Sequence, residues 1–164
     1  MAADHRVRSA RPAETAAVRR LLSAALLEPP PDLSAAVADG HVHVVADGGG
    51  RGRTAPVGCL VRRPPTTTPD ADAVVAALRA LDGPPFDPAD WRETTAASHV
   101  DAVAVARGRR GRGVGRALVA AARSAVDAPV TTAFRPAVRP FYEALDFRVT
   151  SVPDADRLVA WDPL

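Results

Sequence analysis

RGRRGRGVGRAL, Arg107 to Leu118, sets five arginines and four glycines between a run of valines and a run of alanines. Upstream, residues 98–106 (SHVDAVAVA) alternate as a strand does. Downstream, Val114, Leu118, Ala121, Ala122 and Ala125 recur at helical spacing as far as about Val126. The tract therefore joins a strand to a helix. A P-loop counted from Gly108 to Gly113 needs Lys and Ser or Thr next, where Val114 and Gly115 stand. A dinucleotide fingerprint counted from Gly111 and Gly113 needs a third glycine, where Arg116 stands. Neither pattern is met.

Two readings remain. Nucleic-acid binding asks for interleaved aromatics or a basic stripe, yet no Phe, Tyr or Trp occurs between Trp91 and Phe134, and the flanking strand and helix leave no free tether. That reading stays open as the less favoured one. The other starts from the helix end: Arg110, Arg112 and Arg116 surround an N-terminus whose dipole they oppose by roughly a few tenths of a kcal/mol each, which makes sense where an anion belongs. Gly111, Gly113 and Gly115 remove alternate Cβ atoms, so that backbone N–H groups can close on phosphate oxygens. The pattern R-x-x-G-x-G, Arg110 to Gly115, fits a pyrophosphate cradle.

The 164 residues suit one domain, residues 1–164, able to bury roughly 70% of its unfolded surface. Apolar residues are 47% and aromatics 4%, so Ala, Val and Leu must build the core. There is no lysine, isoleucine, asparagine or glutamine, a bias that reads as a GC-rich bacterial coding sequence, and all 21 basic residues are arginine. A net charge of +2 gives no bulk argument for a polyanion partner. The single Cys59 lies in the apolar run VGCLV and reads as a small buried hydrophobe, with no disulfide partner. The opening residues lack an apolar signal core, and no run of eighteen apolar residues occurs, so the expectation is a cytoplasmic protein with no membrane partner.

The remaining elements follow from periodicity and punctuation. A strand is expected over 5–10, and a helix from Arg11-Pro12 to about Leu27 with Glu14 at its positive end. Asp32 is the expected N-cap of a short helix ending at Asp39-Gly40. Strands over 41–46 and 56–61 flank the turn ADGGGRGRT and form an antiparallel hairpin. His41 and His43 share a strand face, but without a third ligand they read as structural residues on a half-exposed face rather than a metal site. Residues 64–95 form an excursion between two strands, with a helix over about 70–81, whose role is a lid, a binding loop, an interface or a surface decoration. A strand over 130–134, a helix over 136–145 and strands over 147–152 and 157–161 complete a mixed α/β order, β-α-α-β-β-(insertion)-β-α-β-α-β-β.

AVAVARGRRGRGVGRALV resembles the acetyl-CoA-binding motif of the GNAT (Gcn5-related) N-acetyltransferases, often LAVxPxxRGxGIGxxLL, and FYEALDF at Phe141–Phe147 resembles the family's FYEKLGF. The resemblance covers nearly the whole chain except 64–95. It implies the GNAT acyl-CoA N-acyltransferase fold, a mixed central sheet flanked by helices, with a helical insertion between the third and fourth strands. Three positions depart from the pattern: Arg107 replaces a proline, Asp146 replaces the glycine before Phe147, and Arg135 stands where an asparagine often touches the pantetheine arm.

By that resemblance, backbone groups of Val103 and Val105 pair with the pantetheine arm of acetyl-CoA, and the Val105 amide polarises the thioester carbonyl. Backbone N–H groups of Arg110, Gly111, Arg112, Gly113, Val114, Gly115 and Arg116 hold the pyrophosphate, and Arg135 reaches the arm. An ammonium cannot attack a thioester until it loses a proton, and the positions that often carry the base are here His99 and Asp101. Either accepts the proton, or His99 caps the sheet face and Asp101 binds the ammonium. Tyr142 matches the tyrosine that serves the departing thiolate. With reference pKa values of about 10 and about 8.5, hydrogen-bond stabilisation describes its role better than full proton transfer.

The expectation is an acetyl-CoA-dependent N-acyltransferase acting on the primary amine of a small molecule, with no metal and no nucleic acid. Alternatives are a protein N-terminal or lysine acetyltransferase, or a non-catalytic binder of CoA or nucleic acid. The resemblance also allows a homodimer.

Overall fold

The computed structural model describes residues 5–46 and 55–163. The hairpin turn expected over 47–54 lies outside the described residues. The elements run in the expected order. Strand β1 is Val7–Ser9, helix α1 Thr15–Ala24, α2 Leu33–Ala38, β2 Val42–Ala46 and β3 Pro56–Arg63. Helices α3 (Ala71–Arg79) and α4 (Pro88–Glu93) follow, then β4 (His99–Val105), α5 (Val114–Ser124), β5 (Thr131–Phe134), α6 (Arg139–Glu143), β6 (Arg148–Ser151) and β7 (Leu158–Trp161). The strands form one mixed seven-stranded sheet in the order β1-β2-β3-β4-β5-β7-β6. Among the described residues no helix is long and apolar enough to cross a membrane.

The chain divides into two compact units. The first comprises residues 1–62 and 102–125. Its core joins Val18 and Leu22 of α1, Leu33, Ala36 and Val37 of α2, Val42 and Val44 of β2, Cys59 and Val61 of β3, and Ala104 of β4. A fully buried Val or Leu contributes roughly 1.5–3 kcal/mol, which is how a core without large side chains suffices. Cys59 sits inside it, and burial pushes its thiol up to about 12, leaving an inert apolar filler. Arg8 holds Glu14 through paired bonds of 2.7 and 2.6 Å, and Glu14 also accepts the Arg11 N–H at 2.8 Å, tying β1 to the entry of α1.

Three local readings change. Asp32 stands at the N-cap of α2, but its side chain makes no capping bond, because its backbone (φ −97°, ψ 22°) is not in the extended form that aims a cap oxygen at the first turn. The first long helix ends at Ala24, since Leu26 turns left-handed at φ 58° while the Leu27 N–H closes back on the Leu22 carbonyl. His43 is buried rather than half-exposed and accepts a 3.1 Å bond from Arg62 Nε.

The second unit comprises residues 63–101 and 126–164. Strand β4 pairs in parallel with β5 at His99–Thr131 and Val100–Thr132, and β7 pairs antiparallel with β5 and β6. Helix α3 buries Ala71, Val74, Val75, Ala77 and Leu78 against Trp91, Ala133, Val152, Val159 and Trp161. Helix α4, unforeseen at the end of the Pro-rich GPPFDP stretch, is started by Pro88 and by the Asp87 carboxylate accepting the Ala89 N–H at 2.8 Å.

Candidate active site

In the first unit the strand-to-helix tract is a fixed loop. After β4 the chain makes a 3-10 turn over Arg107–Arg109, and Arg110 donates its Nε–H to the Val105 carbonyl at 3.1 Å. Gly111 (φ 71°) and Gly113 (φ 84°) are left-handed, which non-glycine residues reach only with strain. Between them the Arg112 carbonyl accepts His5 Nε2–H at 2.5 Å. Helix α5 begins at Val114, so Gly115 is a residue of its first turn. The glycines thus divide their work: two shape the loop and the third is helical.

Helix geometry leaves the first N–H groups of α5 without intrahelical acceptors, and the helix dipole adds positive potential there. The exposed Gly111, Arg112, Gly113 and Arg116 border this end, a composition suited to a phosphate. The helix is seated by Gly58 of β3: a Cβ at that position would lie 2.6 Å from Val114 Cγ1 and 3.2 Å from Leu118 Cδ1. Val103 and Val105 on β4 are half-buried, and the alternate Ala104 is buried.

The second unit gathers a buried polar cluster. His99, wholly buried, places Nδ1 2.9 Å from Thr131 Oγ1 and Nε2 3.6 Å from Asp70 Oδ2, with the Trp91 ring edge-on at 6.0 Å. Asp101 accepts the Thr68 hydroxyl at 3.0 Å and is ion-paired with Arg63 Nε. Asp70 is ion-paired with Arg157 Nη1 at 2.6 Å, and Arg157 Nη2 donates to the Ala133 carbonyl at 3.0 Å.

Burial raises the Asp101 carboxyl pKa, outweighing the lowering by His99, Arg63 and Thr68. For Asp70 burial also pushes upward, but the neighbouring His99 and Arg157 together hold it below the usual carboxylate range. Two carboxylates beside one imidazole, their ligand atoms within 4.8 Å of one another, are donors a metal could use. Each carboxylate already faces a guanidinium, so a divalent ion there would meet two arginines, and the chemistry is that of an ion-pair network around one histidine. Thus His99 and Asp101, both expected, share this cluster. Asp70, Thr68, Arg63 and Arg157 were not foreseen; only the paired arginines closing the apolar run VGCLVRR hinted at Arg63.

Tyr142 on α6 is buried. It stacks on Phe134 at 4.5 Å and meets Phe141 and Phe147 edge-on. Its oxygen lies 3.4 Å from Thr132 Oγ1, whose own proton goes to the Val100 carbonyl at 3.0 Å. Burial raises the phenol pKa against the lowering contact with Thr132. Asp146 takes φ 63° where the resembled motif has glycine, closing α6 with the Phe147 N–H on the Tyr142 carbonyl at 3.1 Å. Aspartate is among the side chains that tolerate this conformation, so the turn survives the departure. Arg135 is exposed between β5 and the 3-10 turn at Pro136–Val138.

A family model described as an acetyltransferase (GNAT) domain matches residues 38–149. The chain belongs to this GNAT acetyltransferase family. It is therefore an acyltransferase-class enzyme whose cosubstrate is acetyl-CoA. Solved structures share the GNAT fold at low identity. A GNAT-family acetyltransferase from Listeria monocytogenes has 14% identity and a TM-score of 0.64, with 98% of this chain and 95% of that chain covered. A chain of the NatC complex bound to Gag peptide and CoA has 16% identity, a TM-score of 0.62 and coverage of 97% and 98%. Rv2747 from Mycobacterium tuberculosis, in complex with CoA and NLQ, has 19% identity, a TM-score of 0.54 and coverage of 88% and 72%. No curated protein matches the chain in sequence.

Proposed function

We propose that this GNAT enzyme transfers the acetyl group of acetyl-CoA to the primary amine of a small molecule. The observation that carries the reading is the loop in which left-handed Gly111 and Gly113 lead into the N-terminus of α5. In this reading the N–H groups from Arg110 to Arg116 hold the pyrophosphate, and the arginine side chains face the 3′-phosphate. Backbone groups of Val103 and Val105 pair with the pantetheine arm, the Val105 N–H polarises the thioester carbonyl, and Arg135 reaches the arm.

The acceptor ammonium gives its proton to His99 or Asp101, directly or through one water. The freed nitrogen pair attacks the thioester carbon, and the C–S bond then breaks. Tyr142 donates a hydrogen bond to the thiolate, a role its raised pKa suits better than complete proton loss.

Among the described residues the exposed large apolar side chains are Leu26 and Val138, few anchors for a docked protein chain. This favours a small acceptor. The fold likeness to a NatC chain solved with a peptide supports the second reading, a protein N-terminal or lysine acceptor. A panel of free amines and a peptide array, each with acetyl-CoA and a thiol-release readout, separates the two. Turnover of free amines without peptide acetylation is expected, and the reverse result overturns the small-molecule assignment. If calorimetry finds no binding of acetyl-CoA, the whole reading fails.

A further inference from the structure

We propose that Asp70, carried by the segment between β3 and β4, is the positioning residue of His99: it orients the imidazole and supplies the counter-charge of its protonated form. This rests on reading His99 as the group that takes the proton of the amine.

The argument begins with the two ring nitrogens. His99 is wholly buried, and each nitrogen faces a different side chain: Nδ1 meets Thr131 Oγ1 at 2.9 Å and Nε2 meets Asp70 Oδ2 at 3.6 Å. Nε2 has no hydrogen-bond partner, and 3.6 Å suits an ion pair rather than a hydrogen bond between neutral groups. A neutral ring that donates Nδ1–H to Thr131 turns the Nε2 lone pair toward a carboxylate oxygen, which repels it, whereas the tautomer that accepts the Thr131 hydroxyl at Nδ1 points its Nε2–H at Asp70. A ring protonated on both nitrogens is satisfied on both sides. Asp70 thus selects the ring that carries its proton on Nε2 and stays paired with it when the ring takes up a second proton.

The other charges around the ring fit that assignment. Arg157, between β6 and β7, fixes Asp70 through Oδ1 and leaves Oδ2 for His99. Asp101, on the same strand as His99, is held by Arg63 from the end of β3 and by Thr68. From α4 the Trp91 ring closes one side, and from β5 only the neutral Thr131 hydroxyl reaches the imidazole. Two carboxylates and two guanidiniums balance, so the cluster can accept one proton on His99 without stranding a net charge larger than +1. In the step itself an N–H bond of the ammonium breaks and an N–H bond forms at Nδ1, the nitrogen left unprotonated when Nε2–H faces Asp70, by way of the Thr131 hydroxyl or one water. The electron pair left on the amine makes the new C–N bond. Thr68 and Asp70 both come from the segment between β3 and β4, which makes that segment part of the proposed site's chemistry.

The test uses the full chain with an accepted amine and acetyl-CoA. Asp70→Asn should lower kcat/KM about tenfold at neutral pH, leave KM for acetyl-CoA unchanged and move the acidic limb of the pH profile downward. Asp70→Ser removes the same charge while leaving room for water and should do likewise, and Asp70→Glu should restore part of the rate. Independently of turnover, the NMR shifts of the two His99 ring nitrogens, which report where the proton sits, should change in the Asn and Ser variants. Ring-nitrogen shifts and profile unchanged in both, while His99→Gln loses activity, overturn the role of Asp70 alone. His99→Gln retaining the wild-type rate and acidic limb overturns the underlying reading of His99.

Discussion

His43 shows how one residue type takes its meaning from its neighbours. Burial, with help from the adjacent Arg62 guanidinium, pushes its imidazole down to about 4 from the model-peptide value near 6.5. The unfolded chain therefore binds more protons than the folded one across that interval. The stabilisation is whole above about pH 6.5 and is lost as the pH falls toward 4, on the order of 2–3 kcal/mol in all. His43→Gln keeps an acceptor for Arg62 and removes the titration. Urea unfolding at pH 7 and at pH 4.5 should show a clearly smaller acid loss in the variant than in the parent, and equal losses would refute the assignment. His41, also lowered by burial and Arg62, retains a share of the acid sensitivity. Two histidines at alternate positions are legible as a pair, but which of them is buried is not, because that depends on Arg62 folding back from the neighbouring strand.

At the scale of elements, the loop proposed to hold the cosubstrate depends on where α5 sits, and α5 depends on Gly58 in β3. A methyl group there would lie 2.6 Å from Val114 Cγ1, at the first residue of the helix, and β-branched valine has little rotamer freedom with which to yield. Gly58→Ala should destabilise the chain by about 1–3 kcal/mol in chemical denaturation and weaken acetyl-CoA binding in calorimetry by displacing the helix end. Unchanged stability and affinity would mean that the helix position is not set by this contact. The loop itself was readable as a phosphate-type connection from its glycines and flanking periodicities. Its seat was not readable: Gly58 lies about fifty residues upstream in an apolar strand, where glycine carries no local signal for a close approach. The helix over 71–79 was likewise visible in its apolar spacing. That its apolar face meets β5 and β7 is a fact of packing between distant segments.

For the whole molecule, binding should appear as stability. Acetyl-CoA at a hundred times its dissociation constant should add about 2.7 kcal/mol to the folded state, and a chain of this size should melt roughly 5–10 °C higher. Thermal denaturation with and without acetyl-CoA measures this, and no shift at saturating ligand would contradict the assigned cosubstrate. Tyr142→Phe should keep the ligand-induced shift while turnover falls, since the hydroxyl is assigned to the departing thiolate; loss of the shift would place Tyr142 in binding instead.

Sequence alone determined the succession of strands and helices, the glycine-shaped loop before α5 and the family to which the chain belongs. All three are written in local periodicity and in glycines whose backbone demands are local. Tertiary structure decided the company kept by the chemical groups. It brought Thr68 and Asp70 from the segment after β3, Arg63 from the end of β3 and Arg157 from the turn before β7 around His99 and Asp101. Short-range pattern cannot convey that, because ion pairs and burial are settled between residues far apart in the chain, and the same aspartate that starts a helix on paper faces a histidine in the fold.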